Sequence, residues 1–124
     1  MSLTKNFTLQ EFVCRDGSVP TGSALENVKQ LAENLQVLRD ELGKPIHINS
    51  GFRSVKYNAT LQGSSVVSQH LYGRAADIVV EGYTPKQLAA KIEELIAAKK
   101  MKQGGIGIYP TFVHYDIRGK RARW

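Results

Sequence analysis

The sequence predicts an α+β fold in which helices pack on a small, mostly antiparallel sheet. Two long segments repeat apolar residues with the period of an α-helix, and several short segments alternate or run apolar like strands. The chain also closes on a hairpin pattern, which favours antiparallel pairing. Its 124 residues, 42% of them apolar, predict one globular domain over residues 1–124.

The first element is a short helix that starts after Phe7. Thr8 is a suitable N-cap, and Glu11 three residues later completes a capping box. Phe7 and Phe12 are spaced for the hydrophobic contact that often brackets such a box.

A long amphipathic helix is predicted from Ser23 to Leu42. Ser23 and Glu26 form a second capping-box pattern, and Gly43 followed by Pro45 ends the helix. Its apolar stripe recurs at three- and four-residue steps and consists of Val28, Leu31, Leu35, Leu38 and Leu42.

The middle of the chain alternates short strands with helical segments. Residues 46–49 alternate like a strand, 55–61 predict a helical turn, 62–65 predict a loop, and 75–80 predict a buried strand. Thr84 as N-cap, Pro85 at the first helical position and Gln87 predict a second long helix, with lysines near its end. A glycine-rich strand over 104–109, a turn at 110–111 and a strand over 112–118 complete the prediction.

Composition excludes several protein classes. The single cysteine, Cys14, excludes an internal disulfide framework and a cysteine-rich zinc finger. No apolar run reaches the ~18 residues of a transmembrane helix, and residues 1–5 lack the core of a secretory signal, so we expect no membrane partner and no export signal in the chain. The net charge of +6 suits nucleic acid, an anionic lipid surface or an anionic wall polymer equally.

The segment from Ser68 to Asp77 holds the first candidate site residues. His70 lies in a predicted loop, and Asp77 interrupts the apolar run of a predicted strand. A carboxylate at that position is expected to be partly buried and therefore to need a cation or hydrogen bonds. Gly73 allows the backbone to turn tightly between the two residues.

The last strand adds a second group of polar residues. Alternate residues of an extended strand share a face. One face is apolar and suits the core, with Val113, Tyr115 and Ile117. The other face carries Phe112, His114, Asp116 and Arg118. A histidine, a carboxylate and a guanidinium on one face of a small sheet indicate a site.

Two histidines and a carboxylate, with a fourth position open to water, form the ligand set of catalytic zinc. From the residues alone, this hypothesis stands beside plainer ones, in which His70 is solvated or capped and Asp77 forms an ion pair or a cap. The same set holds ferrous iron, typically in a double-stranded β barrel, which this helix-rich chain does not suggest. The third histidine, His47, is expected to be exposed on the polar face of its strand.

Three ordered motifs resemble the zinc D-alanyl-D-alanine carboxypeptidase family, in its murein peptidase and phage endolysin branch. Residues 68–77, SQHLYGRAAD, resemble the family signature Ser-x-His-x-x-Gly-x-Ala-x-Asp. Residues 48–54, INSGFRS, resemble the segment upstream of it, and residues 104–116 resemble the closing segment. The resemblance runs from about Phe7 to Trp124, and the family is related to lysostaphin-type peptidases and the hedgehog domain.

The resemblance implies a role for each matching residue. His70, Asp77 and His114 would bind Zn²⁺. Arg53 would bind the terminal carboxylate of the substrate or orient the scissile carbonyl, for which a forked guanidinium is suited. A plainer alternative is that Arg53 braces its loop through a salt bridge. Two further residues, Ser68 and Gln69, would line the substrate cleft.

The chain departs from the family pattern at one position. Many relatives carry an acid three residues before the last zinc histidine, where it serves as general base, but this chain has Thr111. We therefore expect Asp116, on the same strand face as His114, to act as general base or to orient the zinc water. Alternatively, Asp116 only pairs with Arg118 or supports a ligand, or it replaces His114 as the third ligand.

The predicted function is hydrolysis of an amide bond in peptidoglycan peptides by a zinc carboxypeptidase or endopeptidase, such as a phage endolysin. The chain would act as a monomer on the bacterial cell wall, without nucleic acid or membrane as a partner. One alternative is a catalytically silent, zinc-stabilised cell-wall-binding module, which the missing acid at Thr111 favours. A nucleic-acid-binding domain is suggested only by the net charge and the basic tail.

Overall fold

A computed structural model describes residues 1–61 and 68–124, so the loop predicted at 62–65 lies outside the described residues. Within those ranges the α-helices are α1 (Gly22–Leu42), α2 (Val55–Thr60) and α3 (Pro85–Ala97). Two 3-10 helices cover Leu9–Phe12 and Gln69–Tyr72. The strands are β1 (His47–Ser50), β2 (Ala75–Val79), β3 (Gly105–Ile108), β4 (Val113–Asp116) and β5 (Ala122–Arg123). The predicted α+β class is confirmed.

The strands form one sheet in the order β1-β2-β4-β3-β5. Every pairing is antiparallel except that of β3 with β5, which is parallel. The predicted hairpin is the β3–β4 pair. Strand β5, in contrast, falls in the segment that the sequence indicated only as a basic tail, because two residues are too few to show a strand pattern.

The N-terminal helix is confirmed, although it is a 3-10 turn. The Thr8 N–H donates to the Glu11 carboxylate at 2.7 Å, so the capping box is present. The rings of Phe7 and Phe12 lie 6.2 Å apart between centroids and are both buried. The Phe12 carbonyl also accepts from the Phe52 N–H at 2.9 Å, which ties this turn to the loop after β1.

The predicted start of α1 was wrong by one residue, because the helix begins at Gly22 with Thr21 as its N-cap, and the predicted capping box of Ser23 and Glu26 is therefore wrong as well. The Leu25 N–H donates to the Thr21 carbonyl at 3.4 Å and closes the first turn, while Glu26 pairs with Lys29 at 3.3 Å. A sequence pattern places a helix end only to within one or two residues. Among the helices that the structure describes, none is both long and apolar enough to span a bilayer.

Helix α3 begins as predicted. The Thr84 hydroxyl accepts from the Gln87 N–H at 3.1 Å, and the Gln87 side chain accepts from the Thr84 N–H at 2.9 Å. The lysines predicted near its end follow the last helical residue, Ala97.

The two faces of the sheet have opposite chemistry. The face toward α1 and α3 buries Ile78, Ile106, Val113 and Tyr115 in the hydrophobic core. The predicted apolar face of β4 is therefore confirmed, and the alternation of side chains places Asp77 and His114 on the other face. This second face carries the candidate site.

Candidate metal centre

Three of the predicted site residues come together on that face. One donor atom from each of His70, Asp77 and His114 lies within 4.8 Å of the other two. His70 Nε2 and His114 Nδ1 each lie 3.3 Å from the same carboxylate oxygen, Asp77 Oδ1. All three residues are at least 94% buried. The three donors thus form a largely buried cluster.

The strand register places two of these residues side by side. Asp77 on β2 is directly opposite His114 on β4, and Gly107 on β3 is opposite His114 on its other side. Residues in such a cross-strand row have neighbouring Cβ atoms, so the carboxylate and the imidazole meet without any loop rearrangement. The sequence alternation alone could not establish this register.

The third residue, His70, comes from the 3-10 helix that precedes β2. The Ser68 hydroxyl caps this turn by accepting from the His70 N–H at 3.2 Å. The turn ends at Gly73, whose φ of 71° favours glycine. A Cβ at Gly73 would also collide with the Ala24 carbonyl of α1, so glycine lets the turn pack tightly against that helix.

In each histidine ring, one nitrogen faces Asp77 (the inner nitrogen) and the other faces away from it (the outer nitrogen). The outer nitrogen of each ring has a hydrogen-bond acceptor. His70 Nδ1 lies 2.7 Å from the Gly51 carbonyl, and His114 Nε2 lies 2.7 Å from Asp116 Oδ2. Because a carbonyl only accepts, the hydrogen of a neutral His70 ring sits on Nδ1. The same reasoning places the hydrogen of neutral His114 on Nε2. Both inner nitrogens then present lone pairs toward Asp77.

This convergence of lone pairs fits a divalent cation. Two ligands that are each about 2.0–2.1 Å from Zn²⁺ at a tetrahedral angle lie about 3.3 Å apart. Both nitrogen-to-Asp77 separations have this value. In zinc sites, a ligand histidine is oriented by a hydrogen bond from its outer nitrogen to a carbonyl or a carboxylate, and both kinds of partner are present here. The donor set and its supporting hydrogen bonds therefore fit Zn²⁺.

Asp116 lies on the far side of the His114 ring from the donor cluster and is fully buried. Its carboxylate accepts from the Gly105 N–H at 2.9 Å, from the Arg118 N–H at 3.1 Å and from two guanidinium nitrogens of Arg118 at 2.9 and 2.7 Å. Together with the contact to His114 Nε2, these bonds occupy both oxygens. The arrangement combines two of the alternatives drawn from the sequence, an ion pair with Arg118 and support of a ligand.

Trp124 is a neighbour of the site that sequence reasoning missed. Its indole lies 4.9 Å from the His114 ring and 5.5 Å from the Arg118 guanidinium, measured from the ring centroid, and its Nε1–H donates to Tyr109 Oη at 2.7 Å. A Cβ at Gly107 would lie 2.5 Å from this indole. The sequence did contain a signal for this neighbour, namely two glycines, 105 and 107, on one face of β3. Because glycine has no side chain, that face leaves room for a group from another segment.

Arg53 contacts the metal centre through the second carboxylate oxygen of Asp77. Its Nη2 lies 3.3 Å from Asp77 Oδ2, and its other nitrogens contact Ser50 Oγ at 3.2 Å and Asn58 Oδ1 at 3.4 Å. The side chain retains 15% exposure. The salt bridge weighed as an alternative for Arg53 is present, and its partner is the candidate ligand itself.

The two residues expected to line the cleft are next to His70. Ser68 uses its hydroxyl as a helix cap, as described above, and is partly exposed. Gln69 has a buried side-chain oxygen that finds no hydrogen-bond partner among the described residues. Contact of either residue with a substrate stays a prediction. His47 is exposed on β1, as expected.

Comparison with known proteins identifies the family. The sequence profile of the family described as Peptidase M15 matches residues 5–116, which include every residue of the donor cluster. The chain belongs to the peptidase M15 family. The family resemblance inferred from the three motifs is thus confirmed.

Two curated proteins show how far the likeness of this M15 chain extends. It is 34% identical over 102 residues to the peptidoglycan L,D-endopeptidase MepK of Escherichia coli (strain K12), covering 76% of the chain and 52% of that protein. It is 43% identical over 63 residues to the zinc D-Ala-D-Ala carboxypeptidase of Streptomyces albus G, covering 50% of the chain and 24% of that protein. The chain therefore spans about half of one relative and a quarter of the other.

The electrostatics of the metal-free M15 centre follow from competition between burial and hydrogen bonding. Burial raises the pKa of Asp77, but its polar contacts with His114 and His70 outweigh that effect and hold the pKa well below its ordinary 3.8. Burial also raises the pKa of Asp116, and its contacts to His114, Arg118 and Gly105 again leave it lowered. Burial lowers the pKa of His114, but its two carboxylate partners leave it above the ordinary 6.5.

These shifts predict how the stability of the metal-free chain depends on pH. The two aspartates contribute stability that is present above the unfolded pKa of 3.8 and is lost as pH falls through their lowered folded pKa. The contribution of His114 is present below 6.5 and is lost as pH rises through its raised folded pKa. We expect urea unfolding to show greatest stability between these limits. An unfolding midpoint unchanged down to about pH 2 would contradict the prediction.

Gly51 provides a test of how the N-terminal turn supports His70. A Cβ at Gly51 would lie 2.8 Å from the Phe12 Cα, so a Gly51→Ala variant must shift backbone on one side or the other. We expect it to lose about 1–3 kcal/mol of unfolding free energy. We also expect weaker zinc binding, because the displaced carbonyl is the acceptor of His70 Nδ1. Urea unfolding and chelator competition measure the two effects, and an unchanged zinc affinity would refute the proposed support of His70.

Proposed function

We propose that this M15 chain is a zinc-dependent peptidase that hydrolyses an amide bond in peptidoglycan peptides. The observation that carries the proposal is the buried cluster of two histidines and one aspartate, with both outer histidine nitrogens already bound. Residues 1–124 are proposed to form one zinc peptidase-like domain. Both relatives described above have names that specify a peptidase acting on peptidoglycan or on a D-Ala-D-Ala bond.

In this proposal, Zn²⁺ is held by His70 Nε2, Asp77 and His114 Nδ1. When bound, it supplies Lewis-acid polarisation of a carbonyl and a nucleophilic water at neutral pH. The protein contributes a donor set that is built before the metal arrives, since each histidine ring is oriented by its outer hydrogen bond.

Arg53 is proposed to contact the substrate. Its guanidinium is held beside Asp77, yet the side chain keeps 15% exposure. A cation in that position stabilises negative charge on a substrate carboxylate, or the charge that develops on the scissile carbonyl oxygen. Ser68 and Gln69, next to His70 in the chain, are proposed to line the cleft.

Asp116 is proposed to position His114 and not to accept a proton from water. Its carboxylate touches the nitrogen of His114 that faces away from the cluster, and all its other partners are structural. A buried carboxylate in this place fixes the ring orientation and increases the basicity of the donor nitrogen. The first role expected from the sequence, general base, would require the carboxylate to face the cluster.

The proposed setting is the bacterial cell wall. The substrate is a peptidoglycan peptide, approached by a monomer without a nucleic-acid or membrane partner. The net charge of +6 favours approach to an anionic wall.

Digestion of purified sacculi tests the proposal. Zinc-loaded chain should release new amino groups and soluble fragments, and removal of zinc by a chelator should stop the release. Mass spectrometry of the fragments identifies the bond cleaved and separates a carboxypeptidase from an endopeptidase. Hydrolysis that continues undiminished after verified zinc removal would refute it.

One observation favours a second candidate, a catalytically silent, zinc-stabilised module that binds the cell wall. The position of the expected acid is Thr111, and the neighbouring carboxylate, Asp116, lies behind His114. Binding of sacculi and of stoichiometric zinc, without any release of amines, would decide for this module.

A further inference from the structure

A cleft of about 360 Å³ lies between helix α3 and strands β3 and β5. Its floor is apolar and is formed by Ala89, Ala90, Ile106 and Ile108, with Trp124 at one end. Ile106 belongs to the core between the sheet and the helices, whereas the metal cluster lies on the opposite face of the sheet. The floor of the cleft is therefore separate from the candidate metal centre, whereas Trp124 at its end is shared, since its indole packs over Gly107 and the His114 ring.

The rim of the cleft is basic. Three basic side chains and one carboxylate line it, so two positive charges are in excess. Arg123 makes a bidentate pair with Glu93 at 2.7 and 2.8 Å and fastens β5 to α3. The excess belongs to Lys86, which is exposed, and to Arg121, whose side chain is 64% exposed and lies 3.7 Å from Glu93.

The floor of the cleft also exposes a large apolar side chain. Ile108 is 49% exposed, which makes it one of the few large apolar residues on the described surface. Apolar area that is bordered by charge of one sign fits a ligand with an apolar body and an opposite charge. The structure thus describes a site for an amphipathic anion.

We propose that this cleft is an accessory binding site for a carboxylate-bearing peptidoglycan fragment, separate from the metal centre. The aliphatic parts of the fragment would pack on Ile108 and the apolar floor beside it, while carboxylates of its peptide would pair with Lys86 and Arg121. The choice of ligand rests on the proposed function, but the cleft and its charge do not. Binding here would hold the chain on the wall while the opposite face acts on a peptide.

Binding to insoluble sacculi tests the proposal, with the zinc-loaded full chain kept on ice for times too short to release fragments. We expect the Lys86→Gln/Arg121→Gln double variant to bind about tenfold more weakly, because two exposed charge contacts are lost. Ala90→Phe, which fills the cleft from an exposed helix position without changing charge, should weaken binding similarly.

The matched control is Lys99→Gln/Lys100→Gln, which removes the same charge from exposed residues after α3 that do not line the cleft. It should bind like the wild-type chain. Equal losses in the control and the cleft variant would overturn the proposal, as would wild-type binding by the cleft variants.

Hydrolysis of a short soluble wall peptide separates this proposal from the proposed function. The Lys86→Gln/Arg121→Gln variant should cleave it at the wild-type rate, and a parallel fall in rate would overturn the assignment of a separate site. If the wild-type chain cleaves no peptide but the cleft variants still lose binding, the proposed function fails and the accessory site is supported.

Discussion

We expect the His70→Ala variant to lose stoichiometric zinc binding and, with it, the hydrolysis of peptidoglycan peptides. His70 contributes one of three donor atoms, and its ring is fixed by the bond to the Gly51 carbonyl. Losing a supporting partner of a zinc ligand costs about 10–100-fold in affinity, so losing the ligand should cost more than about 100-fold. Zinc content after dialysis and competition with a chromophoric chelator measure the loss.

The matched control for this prediction is His47→Ala. His47 is exposed on β1 and takes no part in the donor cluster. Its removal should leave both zinc binding and hydrolysis at the wild-type level. Retention of one tightly bound zinc ion by the His70→Ala variant would refute the proposed ligand set, provided that circular dichroism shows the variant to be folded.

The second large effect is expected for Asp116→Asn, which keeps the size of the side chain but removes its charge. If Asp116 positions His114, zinc affinity should fall about 10–100-fold. Activity should then recover when zinc is raised to saturation, because no proton-accepting group has been lost. Hydrolysis rates measured across a zinc titration, together with chelator competition, give both quantities.

The same titration identifies the opposite outcome. An unchanged zinc affinity, with a rate that stays low at saturating zinc, would assign Asp116 the role of general base. Loss of the carboxylate also leaves the Arg118 guanidinium without its partner, so unfolding free energy should be measured alongside. Asp40→Asn, an exposed position with the same chemical change, is the control.

The sequence predicted the helices and several strands of the fold because their signals are local. The capping boxes at Thr8 and Thr84 involve residues only three positions apart, and both form as expected. The alternation along β4 separated Val113 and Tyr115, which enter the core, from His114, which enters the site. The spacing of residues along a strand or helix determines which face each side chain lies on. That knowledge is sufficient to propose His114 as a metal donor.

Other parts of the centre depended on contacts between distant segments. Gly51 supports His70 because the N-terminal turn packs against it, and Trp124 reaches His114 because β5 pairs with β3. Neither partner follows from a repeat or a motif in the chain. The short strand β5 has two residues, which carry no periodicity of their own.

The sequence by itself therefore determined the class of fold, the family and the residues able to bind a metal. Only the tertiary structure decided which nitrogen of each histidine faces Asp77 and where Asp116 stands relative to them. The physical reason is that the type of a residue specifies what its side chain can bind, and its spacing along the chain specifies the strand face on which it lies. The direction of a ring nitrogen depends on its hydrogen-bond partner, which can come from a distant segment of the chain, as Gly51 does for His70.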